Sequence, residues 1–345
     1  MNSFPRGNRL PPRKQCESFW FPMNSTAVAP DWRASLAAPN IFAALTAAGI
    51  FYALFFWFPY ASGYGATRVG MFEFMGWIWK NNTEWEHCWL VPLFALGLVV
   101  YRRKALAALP VSGSWLGLAA LLGTLFVYWV GYLADNIYVG YAAMLGFIGS
   151  LVLWFLGWQW LKALSFPIAF LAFMFPLPFM DNFLAFPLRI FMSTVSVGFL
   201  NLIGLPCLQQ GTAIVSTPDF AAGLAAGERF AVDVADPCSG IRSLFALMMV
   251  SALYGFIAMD KSWQKWVVFL ASVPLAVAGN FARIIMLTIG TIALGPETAI
   301  GTLEEPTTFH MLSGFLVFAV ALGGMLGVGW LLQRFTPQPH TAPTP

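Results

Sequence analysis

Long apolar segments recur along almost the whole chain, and this feature restricts the fold more than any other. Only 10% of the 345 residues are charged, against about a quarter in soluble domains. Runs of roughly 20 apolar residues can each cross a hydrocarbon core of about 30 Å. The chain is therefore predicted to be an all-α polytopic membrane protein with about eight transmembrane helices, at residues 37–59, 88–101, 112–132, 139–160, 163–180, 240–259, 264–289 and 310–332.

The basic residues predict the orientation of these segments. If the N-terminus is cytoplasmic, twelve of the 18 basic residues fall in cytoplasmic segments, as the positive-inside rule requires. Eight crossings then place both termini inside the cell. The first segment has no small-residue cleavage site and is interpreted as a retained helix. We expect a basic cytoplasmic segment at 1–35, an integral membrane domain at 36–332 and a disordered cytoplasmic tail at 333–345.

Residues 181–238 are predicted to lie on the outer face, between the fifth and sixth helices. Their first part, 183–205, is apolar but contains Pro187 and Arg189, which favours an interfacial or re-entrant helix over a ninth crossing. Two short β-prone runs follow, at 211–217 and 230–234, around a turn rich in glycine and alanine. These runs predict a small hairpin-like cap.

Cys238 directly follows this cap and is a candidate nucleophile. Asp236 can act as the N-cap of the next helix and Pro237 suits its first position, so Cys238 is expected in the first turn. There the helix dipole and Arg242, four residues on, favour the thiolate. A disulfide is the alternative, because Cys88 and Cys207 are also predicted to lie outside.

Arg283 lies inside an apolar segment, about 17 residues past Trp266, hence roughly 25 Å along the helix from the cytoplasmic side. An arginine in the hydrocarbon costs about 2.5–3.5 kcal/mol and usually has a partner or a function. It could stabilise a developing oxyanion, with Asn280 on the same helix face to orient it. The alternative is an arginine that snorkels to the headgroups.

His310 opens the last segment at the same predicted depth and is the candidate acid and base. It could instead be an interfacial histidine that caps the helix. Gly314, on its face, would permit a close helix approach, and His87 is a secondary candidate at the outer face. Three carboxylates could orient the imidazole: Glu297, Glu304 and Glu305. No Cys or His pair has zinc-ligand spacing, so neither a metal nor a cofactor is expected.

Four sequence blocks together resemble the exosortase/archaeosortase family. Three of them occupy the last three helices in the family's order, 237–244 (PCSGIRSL), 280–284 (NFARI) and 310–314 (HMLSG), and the fourth is 86–92 (EHCWLVP). Glu86 and Cys88 depart from the small residues expected around His87, which suggests a subfamily with its own signal motif. The resemblance covers roughly residues 85–332.

The resemblance implies a cysteine transpeptidase of the bacterial inner membrane, with its active site facing the periplasm. Its substrates would be exported proteins with a C-terminal motif, a membrane helix and a basic cluster. Cys238 would attack the motif, His310 would move the proton, Arg283 would stabilise the oxyanion, and Arg242 would support them. The family often accompanies exopolysaccharide production. No nucleic-acid partner is expected, and lipid surrounds the protein.

Two other classes of protein fit parts of this pattern. In a transporter, Arg283 would line a substrate path, although the polar residues cluster at one end and no internal repeat is visible. A non-catalytic scaffold of polysaccharide assembly would keep the fold without turnover. The substrate motif, the acceptor nucleophile and the oligomeric state do not follow from the sequence.

Overall fold

A computed structural model describes residues 38–62, 67–81, 83–177, 181–233, 241–301 and 307–335. The α-helices of these residues are α1 Ala38–Tyr52, α2 Met71–Asn81, α3 Val91–Tyr101, α4 Arg103–Ala107, α5 Trp115–Leu133, α6 Ile137–Phe155, α7 Trp158–Phe170, α8 Phe186–Leu202, α9 Ile241–Ala258, α10 Ser262–Leu294, α11 Pro296–Ala299 and α12 Thr308–Phe335. The strands are β1 Pro59–Ser62, β2 Arg68–Gly70, β3 Cys207–Gln210, β4 Ala213–Ser216 and β5 Ala231–Asp233. Turns of 3₁₀-helix, Thr83–Leu90 and Leu171–Met174, precede α3 and follow α7, and π turns, Ala53–Trp57 and Asp181–Ala185, follow α1 and precede α8.

Five helices of the described residues are long and apolar enough to cross a membrane: Trp115–Leu133, Ile137–Phe155, Phe183–Leu202, Ser262–Leu294 and Thr308–Phe335. Three shorter apolar helices, Phe42–Trp57, Trp85–Tyr101 and Arg242–Ala258, accompany them. These helices support a multi-pass membrane protein. The count of eight crossings and the side on which the termini lie remain predictions.

The long helices run in alternating directions, so their ends gather at two levels. At one level Gln264 donates to the Leu332 carbonyl and Gln333 to the Ala258 carbonyl. We call this level the basic end, because Arg102, Lys162, Lys265 and Arg334 lie there. At the other level Trp79 donates to the Met174 carbonyl, and the sheet formed by β3, β4 and β5 packs there. We call that level the capped end.

The helices α5 and α6 form a tight antiparallel hairpin in the N-terminal half. Asn136 caps α6 by accepting from the backbone N–H groups of Tyr138 and Val139, as short polar residues do at helix starts. Gly117 lies so close to α6 that a Cβ atom would be 2.3 Å from the Trp154 nitrogen, so only glycine fits. Aromatic side chains fill the core beside this hairpin, among them Phe55, Tyr128 and Phe147.

The segment predicted as the fifth helix, 163–180, forms α7 and the following 3₁₀ turn. α7 has 13 residues and contains Pro167. The ring of Phe175 nevertheless stacks on Tyr141, near the start of α6, with centroids 4.3 Å apart. The chain has therefore returned along α6 to the capped end by this point.

The segment predicted to be interrupted at Pro187 and Arg189 is instead continuous helix. Pro187 is the second residue of α8, at the point where the π turn Asp181–Ala185 passes into α-helix. The resulting helix, Phe183–Leu202, is one of the five that could cross a membrane by length and composition. Its interfacial position therefore remains a prediction.

The predicted cap is confirmed as β-structure and contains one strand more than the sequence indicates. β4 pairs antiparallel with β5, as the two β-prone runs suggest, and β3 adds to the other edge of β4. Ile214 of β4 packs with Met192 and Leu200 of α8 and with Ile284 and Leu287 of α10. The cap therefore rests on the end of α10 that carries Arg283.

A second hairpin of the capped end, β1 with β2, was not predicted. The Asp135 carboxylate accepts from the Ser62 backbone N–H at 2.9 Å and lies near Arg68. The hydrogen bond from Ser62, and to a smaller extent the charge of Arg68, lower the pKa of Asp135 below its ordinary value. They attach the hairpin to the α5–α6 turn.

Candidate active site

Arg283 and His310 contact each other at the capped end, although 27 residues separate them. The Arg283 Nη2 atom lies 2.9 Å from the His310 Nε2 atom. α10 carries the arginine and the first turn of α12 carries the histidine. These two residues, which the sequence placed at one depth without showing whether their helices are neighbours, are therefore in contact.

Glycines make this approach of α10 and α12 possible. The guanidinium of Arg283 lies against Gly314, where a Cβ atom would be 3.4 Å from Nη2. Gly279 lies against Val317, and Gly290 against the ring of Phe309. Small residues at helix interfaces let backbones approach in this way. The close approaches are those of Gly279 and Gly290, whereas a Cβ atom at Gly314 would be in ordinary contact with the guanidinium that lies against it.

The contact defines the protonation of the imidazole. A guanidinium has donors and no acceptor, so the Nε2 atom of His310 must accept from Arg283. The imidazole is then neutral, with its proton on Nδ1. In this arrangement the lone pair that a general base needs is occupied by the arginine.

His310 is held in place through its backbone as well. Its N–H donates to the Thr307 hydroxyl at 3.1 Å, and that hydroxyl donates to the Ala299 carbonyl at 3.1 Å. The residue is 7% exposed. Thr307 thus joins the start of α12 to α11.

The predicted carboxylate partner of His310 is not found among the described residues. The Nδ1 atom is buried and no described side chain hydrogen-bonds to it, so Glu297 does not fill this role. Glu304 and Glu305 lie outside the described residues.

Asn280 lies one helical turn before Arg283 and is 4% exposed. Its Nδ2 atom is buried and has no hydrogen-bond partner among the described residues. The sequence predicts that Asn280 shares a helix face with Arg283, and its burial is consistent with that prediction.

Arg242 joins two of the sequence blocks. Its Nη2 atom lies 2.6 Å from the Glu86 Oε2 atom, across 156 residues of sequence. The rings of Trp85 and Phe245 pack nearby, with centroids 5.2 Å apart. The start of α9 is thus attached to the 3₁₀ turn before α3. His87, half-buried in that turn, lies with its ring 6.2 Å from Trp85, and its role remains a prediction.

Cys238 and its proposed N-cap lie outside the described residues. The described chain on either side ends at Asp233 of β5 and resumes at Ile241 of α9. The other two candidate cysteines, Cys88 and Cys207, are buried free thiols. They belong to different hydrophobic clusters, so the disulfide between them that the sequence left open is not formed. Burial raises the pKa of the Cys207 thiol.

Sequence reasoning missed the contact between Glu86 and Arg242. Glu86 was noted as a departure from the expected residues, and no local pattern connects it with α9. The role of Thr307 was missed as well. Within the described residues, no cluster of three or more His, Cys, Asp or Glu could hold a metal ion.

The family comparison covers the part of the chain that holds these residues. The model of the transmembrane exosortase family (Exosortase_EpsH) matches residues 79–327, a range that contains all four sequence blocks. The chain belongs to the exosortase family. Comparisons with curated proteins and with solved structures found no match. This exosortase thus carries Arg283, His310, Arg242 and Glu86 within the matched range.

Proposed function

We propose that this exosortase is a cysteine transpeptidase that cleaves C-terminal sorting signals of exported proteins at the outer face of the bacterial inner membrane. The family suggests a membrane transpeptidase with a role in sorting. The observation that supports the proposal is the contact of Arg283 with His310, because a guanidinium could stabilise an oxyanion and a neutral imidazole beside it could act as the base. Cys238 is the proposed nucleophile.

The arginine contact suggests how substrate starts the reaction. A substrate carbonyl oxygen that accepts from the Arg283 guanidinium replaces the His310 Nε2 atom as its acceptor. The imidazole is then free to remove the thiol proton of Cys238. The base is therefore released at the moment when a carbonyl is in position.

The subsequent steps follow from this arrangement. The Cys238 thiolate forms a bond to the carbonyl carbon, and the π electron pair moves to the oxygen beside Arg283. Collapse of this oxyanion restores the carbonyl and breaks the C–N bond, while His310 returns its proton to the leaving amine. A thioester remains on Cys238 until a second nucleophile attacks it.

The test compares the mass of a substrate bearing a sorting signal in hosts that express wild-type protein or the Cys238→Ala variant. We expect loss of C-terminal processing in the variant at a normal protein level. Cys88→Ala and Cys207→Ala are the matched controls, since both are buried free thiols, and both should process the substrate.

Other results would support the competing classes. A transporter predicts that Cys238→Ala is tolerated while Arg283 variants are inactive. A scaffold predicts that neither Cys238→Ala nor His310→Ala changes the phenotype. Unchanged processing in Cys238→Ala would remove the proposed nucleophile.

A further inference from the structure

Asn280 differs from the other buried polar residues of α10. Ser272, Thr288 and Thr291 each donate a side-chain hydroxyl proton to a backbone carbonyl three or four residues earlier. The Nδ2 atom of Asn280 is buried without a partner among the described residues. Buried polar groups are hydrogen-bonded in the great majority of cases, so an amide that keeps its protons free calls for an explanation.

Asn280 also lies at a junction of the core. Ala276, one turn earlier, packs in the cluster that joins α9, α10 and α12. Ile284, one turn later, packs in the cluster that joins α8, the cap and α10. The Asn280 amide is therefore placed between these clusters, about 4.5 Å along the helix axis from Arg283.

We propose that Asn280 is a second donor to the oxyanion, beside Arg283. This inference rests on the proposed function and gives Asn280 a catalytic role, whereas the sequence suggested that it orients the arginine. When the thiolate adds to the carbonyl carbon, the oxygen gains a full negative charge and can accept from both side chains. A buried amide on the same helix face as Arg283 can stabilise that charge with little reorganisation at the moment of reaction.

Two substitutions separate a donor from an orienting residue. Asn280→Asp keeps the Oδ1 acceptor that could hold the Arg283 guanidinium but removes the N–H donor. Asn280→Leu removes both and suits the apolar surroundings. As a donor, Asn280 predicts a loss of processing of about 10²–10³-fold in both variants.

Other outcomes overturn the inference in distinct ways. An active Asn280→Asp variant with an inactive Asn280→Leu variant would show that Asn280 orients Arg283. Full activity in both would show that the amide takes no part. Ser272→Ala is the matched control, because Ser272 is buried two turns earlier on α10 and bonds its own backbone; it should process at the wild-type rate.

Alkylation of Cys238 by iodoacetamide tests whether the variants keep an intact site. This substitution needs a thiolate but forms no oxyanion, so the Asn280 variants should react at the wild-type rate, measured by mass spectrometry of the Cys238 peptide. Slow alkylation together with slow processing would show a general disturbance and contradict the donor role. If wild-type protein and Cys238→Ala process alike, the proposed function fails; if they differ while the Asn280 variants match wild type, this inference alone fails.

Discussion

The two ends of the helix bundle use their cations differently. At the capped end Arg242 and Arg283 are hydrogen-bonded to other side chains, in the pairs Arg242–Glu86 and Arg283–His310, although Arg68 of the β1–β2 hairpin lies over the Tyr132 ring at 4.3 Å. At the basic end the cations lie over aromatic rings, and Phe256 lies beneath both Arg102 at 4.1 Å and Lys265 at 5.3 Å. Arg334 and Lys162 lie over Trp330 and Trp158 in the same way.

This difference indicates two tasks for the same kind of residue. A cation over a ring is held without a single required direction, which suits anchoring at a membrane interface where aromatic residues are common. A guanidinium that donates to a named atom is fixed in direction, which suits chemistry. The predictions below test whether activity depends on the capped end and stability on the basic end.

The largest effect is expected for Arg283→Gln. Loss of the guanidinium removes the contact with His310 and the charge beside the oxyanion, so processing should fall by about 10²–10³-fold. The protein level should not fall, because an arginine in the bilayer is costly to insert. Substrate mass and immunoblotting measure the two quantities.

Arg102→Gln is the matched control at the basic end and should process substrate normally. Equal losses in both variants would show that the comparison of the two ends is wrong.

A smaller loss of processing is expected when a bulky side chain replaces Gly314, which lies against the Arg283 guanidinium. The longer side chain of Gly314→Leu would take the place of the Arg283 side chain and move it from His310, at a cost of about 10–100-fold in processing. Gly314→Ala should be mild, because its Cβ atom would be in ordinary contact, 3.4 Å from Nη2.

Gly323→Leu on the same helix is the control, since nothing lies within 4 Å of a Cβ atom there. If Gly323→Leu reduced processing as much as Gly314→Leu, the hypothesis that Arg283 needs the space at Gly314 would be wrong.

The ion pair of Glu86 and Arg242 should matter less. Both side chains are about half exposed, and exposed pairs contribute about 0–1 kcal/mol, so Glu86→Gln should reduce processing by no more than about fivefold. The exchange Glu86→Arg with Arg242→Glu should recover part of the loss of each single charge reversal. No recovery would show that the two residues act separately.

The smallest effect on activity is expected for Phe256→Leu at the basic end. This change removes the ring beneath Arg102 and Lys265 and its stacking on Phe166. We expect a loss of stability of about 1–2 kcal/mol, measured by thermal unfolding in detergent, with unchanged processing per folded molecule. A loss of processing without a loss of stability would contradict the assignment.

Much of the site's depth could be predicted from the sequence, because helix rise converts residue number into height. Arg283 and His310 were expected at one level for this reason, and they are in contact. Which helices are neighbours could not be predicted, since lipid-facing and buried faces of a membrane helix are both apolar and give little periodic signal. Gly314 was the one local hint of the α10–α12 approach, and it lies against the Arg283 guanidinium.

The pieces that sequence reasoning missed depend on contacts between distant segments. Glu86 meets Arg242 across 156 residues, and no helical period connects them. The strands β1, β2 and β3 are each three or four residues long. Such short strands give no recognisable alternation of apolar and polar residues in an apolar sequence. Pro187 was interpreted as a break because its position within the first helical turn cannot be recognised before the helix start is known.

The burial of His310 has a consequence for the fate of the acyl group. A water molecule that attacked the Cys238 thioester would need a base to take its proton, and the imidazole is only 7% exposed. Bulk water reaches such a base poorly, so hydrolysis of the proposed thioester should be slow and should leave time for a second nucleophile to attack it. The lifetime of the covalent intermediate, rather than affinity for the acceptor, would then decide between transfer and simple cleavage.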